Sequence, residues 1–171
     1  IAAHHSESLE AWVMHTPGLY VVMPSTPYDA KGLLKAAIRS ENPVVFIEHK
    51  ATYGQTGPVP LEDYIIPLGV ADIKRSGNDA TIVSYSRMAM RALEAAKILA
   101  DQHGIDVEVI DLRTLKPMDI RTVAESVRKT GRLITLSEGF GWCGTGREIA
   151  GQYMEYDFGD GTRGFDYLDA R

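Results

Sequence analysis

Short apolar runs alternate with longer stretches of helical periodicity along this chain, and that alternation restricts its fold more than any other feature. Apolar runs begin at Leu19, Val44, Val107 and Leu133, and amphipathic stretches stand between successive runs. Strands that alternate with helices assemble into parallel sheets through right-handed crossover connections. The sequence therefore predicts an α/β fold with a mainly parallel sheet.

Residues 1–50 form the first block of this pattern, with two predicted helices and two predicted strands. Ser6 is predicted to be the N-cap of the first helix, and Thr26 followed by Pro27 is a strong start signal for the second. The run VVFIE is typical of a strand that is covered on both faces. The predicted core-facing positions of the two helices are Leu9, Trp12, Val13, Ala30, Leu33, Leu34, Ala37 and Ile38.

Residues 51–69 interrupt the pattern with prolines and glycines and are predicted to be a linker or an ordered crossing loop. The pattern resumes over residues 70–171, where Ser76–Asp79 reads as a hairpin turn between VADIK and ATIVSYS. Two α/β blocks around a linker suggest two domains. The first block is too short to bury a full core, so we expect a fragment of a longer polypeptide.

Charge and cysteine content exclude several classes of protein. The net charge is −5, from 18 basic and 23 acidic residues, and no basic run could neutralise the phosphates of a nucleic acid or an anionic membrane. A single cysteine, Cys143, excludes an internal disulfide framework. No apolar run approaches the roughly 18 residues that span a bilayer. These features favour a soluble protein in a reducing compartment.

A G-x-G-x-x-G pattern occupies Gly139 to Gly144, between a predicted strand and a predicted helix. That context is the one required for dinucleotide binding, but the strand is not the first of its block and no acidic residue ends a clean second strand about 20 residues later. A tight structural turn is the favoured interpretation. Cys143 lies on the turn without a sequence neighbour that could make it a nucleophile, which favours a small, partly buried residue.

The five histidines show no metal-ligand spacing. His15 and His103 lie near predicted helix C-termini and are expected on the surface, and His49 ends a strand where open sheets place ligands or where a solvated side chain would lie. His4 and His5 precede a predicted helix start. An imidazole in that place is either a surface residue or a general acid/base for an anionic ligand.

Several long motifs resemble the beta subunit of the thiamine-diphosphate-dependent component of 2-oxo acid dehydrogenase complexes, which has a transketolase-like fold. The resemblance begins with AAHHSESLEAWVMHTPGLYVVMPSTPYDAKGL and extends over nearly the whole chain through YIIPLG, TIVSYSRM, VEVIDLRTLKPMD, RLITLSEG and FDYLDA. It implies the end of a pyrimidine-binding domain at residues 1–50, a linker at 51–69 and a truncated transketolase C-terminal-like domain at 70–171. In this family the glycine turn binds no dinucleotide.

The resemblance also implies a catalytic residue and cofactors. His5 matches the histidine of the family motif A-A-Q-H-S, which lies near the reactive carbon of thiamine diphosphate, and His4 replaces the usual glutamine. The glutamate that activates the cofactor belongs to a segment outside this sequence, and the diphosphate and magnesium belong to the alpha subunit. Backbone carbonyls that bind a potassium ion in a related subunit match Ala37, Ile38, Ser40 and Asn42.

The implied activity is oxidative decarboxylation of pyruvate with reductive acylation of lipoyl-lysine. The implied partners are the alpha subunit, a second beta subunit and the lipoyl acyltransferase component, in the cytoplasm of a prokaryote or the mitochondrial matrix of a eukaryote. Two alternatives stay open: an acetoin dehydrogenase beta subunit, which the E-H-K segment favours, and a non-catalytic dimerisation and docking module, with the fragment alone inactive.

Overall fold

The computed structural model describes residues 3–168; Ile1, Ala2 and residues 169–171, the outer ends of the two predicted blocks, lie outside the described residues. The helices are α1 (Glu10–His15), α2 (Pro27–Ile38), α3 (Ser86–His103), α4 (Ile120–Thr130) and α5 (Thr145–Glu155). The strands are β1 (Tyr20–Val22), β2 (Val44–Phe46), β3 (Asp72–Arg75), β4 (Ala80–Ser84), β5 (Val107–Asp111), β6 (Thr114–Lys116) and β7 (Leu133–Thr135). Single 3₁₀ turns lie at Ala3–His5, Lys50–Thr52 and Gly164–Tyr167.

The larger sheet has the strand order β3-β5-β4-β7 and is covered on both faces. Its inner strands β4 and β5 are buried along their whole length, as expected for parallel strands between two helix layers. Successive side chains point to opposite faces, so Ile82 packs with α3 residues whereas Val83 packs with α4 and α5 residues. The predicted α/β class is confirmed, with β3 as an antiparallel edge strand.

The smaller sheet joins the two halves of the chain. Its order is β2-β1-β6: β1 pairs in parallel with β2, and antiparallel with β6 from the second block. Val22 of β1 is fully buried with Leu33 of α2 and Ile66 of the crossing segment. Because Ile66 is part of this core and its N–H donates to the Gly32 carbonyl at 3.2 Å, residues 51–69 form an ordered crossing loop.

Two local predictions are wrong. Ser76–Asp79 does not close a hairpin, because β5 lies between β3 and β4; instead the N–H groups of Asn78 and Asp79 donate to the Asp106 carbonyl at the start of β5. Ser6 does not cap the first helix, which begins four residues later at Glu10.

The predicted apolar faces are only partly buried. Leu33 is inaccessible to solvent, whereas Leu9, Trp12, Leu34 and Ile38 are exposed. The Thr26 cap is confirmed, since its side chain accepts the Asp29 N–H at 3.1 Å. Within residues 3–168, no helix is both long and apolar enough to cross a membrane.

Candidate functional site

His5 ends the 3₁₀ turn Ala3–His5 and is exposed. Its ring lies 4.3 Å from the His4 ring, centroid to centroid, at an interplanar angle of 49°. Among the described residues, neither ring nitrogen has a hydrogen-bond partner, so both are available to a ligand or to another chain.

The four residues of the expected potassium site lie around the C-terminus of α2. Ala37 and Ile38 belong to its last turn, and Ser40 and Asn42 follow the C-cap residue Arg39. The Ala37 carbonyl accepts the Ser40 N–H at 3.2 Å, and the Asn42 N–H donates to Ser40 Oγ at 3.1 Å. Carbonyl oxygens at a helix C-terminus lack donors from a following helical turn and can bind a hard cation, although the Ala37 oxygen already accepts one N–H and would offer only its second lone pair.

His49 meets the second block at the carboxyl ends of β4 and β7. The chain runs from β4 to β5 on one side of β4, and β7 lies on the opposite side of β4. The position between β4 and β7 is therefore the topological switch point of the larger sheet. Glu138 contacts His49 Nε2 at 2.8 Å and accepts a hydrogen bond from Arg87 at 2.9 Å. Because His49 Nδ1 accepts the Ala51 N–H at 3.0 Å, both of its nitrogens are engaged. This bridge between blocks is structural and leaves no nitrogen free for proton transfer.

The glycine turn lies at the same edge of the sheet. A Cβ at Gly139 would stand 3.0 Å from Glu10 Oε1, and one at Gly144 would stand 2.4 Å from the Phe140 carbonyl oxygen. Packing within the chain therefore accounts for both glycines, in agreement with the structural-turn interpretation. Cys143 is exposed, which contradicts the expectation of a partly buried residue, and its φ is 54°.

A buried ionic cluster, which we define as Asp29, Asp72, Lys74, Asp111 and Arg113, connects α2 to β3 and β5. Arg113 donates to Asp29 at 2.7 Å and to Asp72 at 2.9 Å. Lys74 Nζ lies 2.8 Å from both of these carboxyl groups and 3.7 Å from Asp111. Asp29 and Asp111 are inaccessible to solvent, so each needs the cations and hydrogen bonds around it.

The two fully buried carboxyl groups of this ionic cluster differ in pKa. Burial raises the pKa of Asp111 to about 6, and the Ser25 hydroxyl bond and the Lys74 charge only partly oppose that effect. Burial also acts to raise the pKa of Asp29, but hydrogen bonds from Lys74 and Thr26 outweigh it and hold that pKa below the usual value. The difference follows from the closer cations at Asp29.

Three members of the ionic cluster, Asp72, Lys74 and Arg113, line a cavity of about 830 Å³ between the blocks, together with residues that include Tyr28 and Met90. Sequence reasoning missed this cluster, because its members are up to 84 residues apart and no spacing marks them. Within residues 3–168, no group of three or more His, Cys, Asp or Glu side chains is arranged to hold a metal ion.

Comparisons with known proteins agree with this architecture. Residues 69–165 match the transketolase C-terminal domain, and residues 1–56 match the transketolase pyrimidine binding domain. A solved structure described as a split gene transketolase, an inactive beta4 tetramer, superposes with a TM-score of 0.72 at 30% identity and covers 83% of this chain and 46% of its own.

Curated relatives confirm the resemblance to dehydrogenase beta subunits. The pyruvate dehydrogenase E1 component subunit beta of Rhizobium meliloti is 53% identical over 99% of this chain, which covers 35% of the relative. The acetoin:2,6-dichlorophenolindophenol oxidoreductase subunit beta of Cupriavidus necator is 51% identical over 92% of this chain, which covers 46% of it. The chain thus spans between a third and a half of these relatives. On this evidence, the chain belongs to the transketolase family and comprises sequence from its pyrimidine binding and C-terminal domains.

Proposed function

We propose that the chain is part of the beta subunit of a pyruvate dehydrogenase-type enzyme, which decarboxylates pyruvate oxidatively and acylates lipoyl-lysine on the acyltransferase component. The observation that carries this proposal is the 53% identity to a pyruvate dehydrogenase beta subunit over 99% of the chain. The alpha subunit, a second beta subunit and the acyltransferase component are the proposed partners. The names of relatives support a mitochondrial location for a eukaryotic protein, and we propose the cytoplasm for a prokaryotic one.

His5 is the proposed catalytic residue of this chain. Thiamine diphosphate would supply the nucleophilic carbon that the decarboxylation of a 2-oxo acid requires. An exposed imidazole whose two nitrogens have no hydrogen-bond partner among the described residues is suited to exchange a proton with the lipoyl group as the acyl group is transferred. The alpha subunit and the remainder of the beta subunit would hold the cofactor and its magnesium.

We also propose a potassium ion on the carbonyls of Ala37, Ile38, Ser40 and Asn42, and domain limits at residues 1–50 and 70–171. The position of all four residues around one helix C-terminus supports the potassium site. The family matches to residues 1–56 and 69–165 support the two domains. The β1–β6 pairing would then be an interdomain contact.

A substrate panel tests the proposal. The complete beta subunit that contains this sequence is assembled with its alpha subunit, thiamine diphosphate and magnesium, and reductive acylation of a lipoyl domain is measured with pyruvate, acetoin and 3-methyl-2-oxobutanoate. We expect the highest kcat/KM with pyruvate. A higher kcat/KM with either of the other two compounds would contradict the proposal.

Acetoin cleavage is the second candidate, because the acetoin-oxidoreductase relative is almost as similar, at 51% identity. A pure docking module is the third candidate. It is favoured by the exposed apolar side chains Trp12, Phe140 and Trp142, which a partner chain could cover. A variant of these three residues that no longer assembles, beside a His5→Ala variant that assembles but is inactive, would separate docking from catalysis.

A further inference from the structure

Glu10 is the first buried residue after His5. Every residue from Ala3 to Leu9 is exposed, whereas Glu10 retains only 4% of its accessible surface. Its Oε1 accepts a hydrogen bond of 2.7 Å from the Tyr85 hydroxyl group. Tyr85 directly follows β4 and is itself 3% exposed, and its burial raises its pKa well above the usual range, so the hydroxyl keeps its proton and is the donor.

The larger sheet is shaped to admit this carboxyl group. Glu10 enters the edge of the sheet beside the switch point, where Gly139 leaves room for it: a Cβ there would lie 3.0 Å from Oε1. Burial of a carboxyl group without a hydrogen-bond partner destabilises a fold. The hydrogen bond from Tyr85 therefore stabilises Glu10 in this buried position. The first residue of α1 is thus fixed to the second block.

The other end of α1 is fixed as well. Lys116 Nζ donates to the carbonyls of Met14 at 2.9 Å and Thr16 at 2.8 Å, and a cation at a helix C-terminus also complements the helix dipole. A six-residue helix is too short to be stable in isolation. The position of α1 therefore depends on the contacts at its two ends. The position of the chain that leads back from α1 to His5 depends on the same contacts.

We propose that Glu10 and Tyr85 are positioning residues for His5, an inference that rests on the proposed catalytic role of that histidine. Residues 6–9 contain neither helix nor strand, and the Glu10–Tyr85 hydrogen bond fixes the chain to the second block five residues after His5. A displacement of about 1 Å at a reacting group can reduce the rate by about 100-fold. Tyr85 of the second block then helps to position His5, the proposed catalytic residue of the first block.

Tyr85→Phe tests this role in the complete beta subunit assembled with the alpha subunit, because it removes the hydroxyl group and keeps the ring. We expect kcat with pyruvate to fall by about 10- to 100-fold while KM changes less than about twofold. The matched control is Tyr53→Phe, which removes an exposed hydroxyl that donates to Glu48 at 3.4 Å, and should leave both constants unchanged.

Glu10 variants provide the complementary test. Glu10→Gln keeps an acceptor oxygen and should retain kcat within about threefold of the wild type, whereas Glu10→Leu should lose as much as Tyr85→Phe. The double variant Glu10→Leu/Tyr85→Phe should be no worse than either single variant, because both remove the same hydrogen bond. Equal activity of Glu10→Leu and Glu10→Gln would overturn the proposal.

Amide hydrogen exchange over residues 10–16, measured without substrate, separates anchoring from catalysis. Tyr85→Phe should accelerate exchange there and Tyr53→Phe should not. Accelerated exchange with unchanged kcat, or unchanged exchange, would overturn the positioning role. A wild-type assembly that decarboxylates no 2-oxo acid would instead overturn the proposed function itself.

Discussion

At the scale of single residues, the molecule separates two kinds of ionisable group. His5 is exposed, and within residues 3–168 neither of its ring nitrogens has a hydrogen-bond partner, so its replacement should cost the fold little. Asp29 and Asp111 are fully buried beside Lys74 and Arg113, so their protonation is linked to stability. Chemistry at the surface and pH dependence in the core should therefore be separable by mutation.

Asp111 should reduce stability at neutral pH. Its pKa of about 6 in the folded state exceeds the ordinary 3.8, so the stability that its protonated form provides is complete below about pH 4 and lost as the pH rises through 6. Between pH 4 and 7.5, the free energy of unfolding of the wild type should fall by about 3 kcal/mol relative to that of Asp111→Asn. Urea unfolding of both proteins across this range measures the difference.

A matched control for this measurement is Asp101→Asn, which replaces an exposed aspartate whose contact with Lys97 is on the surface. Its pH profile should run parallel to that of the wild type. Asp29 has a lowered pKa, so its effect on stability has the opposite sign. The ionised Asp29 stabilises the fold, and this stabilisation is lost below about pH 4 as the carboxylate becomes protonated. Parallel profiles for Asp111→Asn and the wild type would contradict this account of the ionic cluster.

At the scale of helices and strands, the sequence shows where an element begins or ends more clearly than which other strand it pairs with. The cap at Thr26, and the strands β4 and β5, follow from short-range patterns that the sequence displays. Strand β6 was missed because three residues between a buried turn and Pro117 carry no period, and it is held by β1, about 90 residues away. The wrong hairpin prediction at Ser76–Asp79 has the same cause. Turn residues between β3 and β4 do not reveal that β5 lies between these two strands in the sheet.

Asp119 should matter more to stability than other surface carboxylates. Its side chain accepts the N–H of Thr122 at 3.1 Å as the N-cap of α4, and the N–H of Ala71 at 3.0 Å. Asp119→Ala should lower the free energy of unfolding by about 1–2 kcal/mol, and Asp119→Asn by less. The control Glu125→Ala, which breaks an exposed pair with Arg121, should cost at most about 0.5 kcal/mol in thermal or urea unfolding.

The C-terminus of α2 should respond to the identity of the cation. If carbonyls of residues 37–42 bind potassium, KCl should raise the melting temperature more than NaCl at the same ionic strength. A potassium concentration of 100 times Kd would add about 2.7 kcal/mol. Differential scanning calorimetry in matched salts measures this effect, and identical melting temperatures in the two salts would contradict the proposed site.

At the scale of the whole molecule, the two blocks are held together by features that no local pattern reveals. They are the β1–β6 pairing, the ionic cluster, the Glu138–His49 contact and the Tyr85–Glu10 hydrogen bond. Each joins residues that are distant in the sequence, so only the folded chain shows them. The role of His5 stays a prediction: its motif is local, and the resemblance, rather than its spacing, supplied that role.

The most direct test of the central claim compares the wild type with His5→Ala in the assembled complex. The measured quantity is the rate of acetyl transfer from pyruvate to a lipoyl domain, with His4→Gln as the control. We predict a loss of about 100-fold or more for His5→Ala at an unchanged melting temperature, and near-normal transfer for His4→Gln. Transfer by His5→Ala at the wild-type rate would contradict the claim.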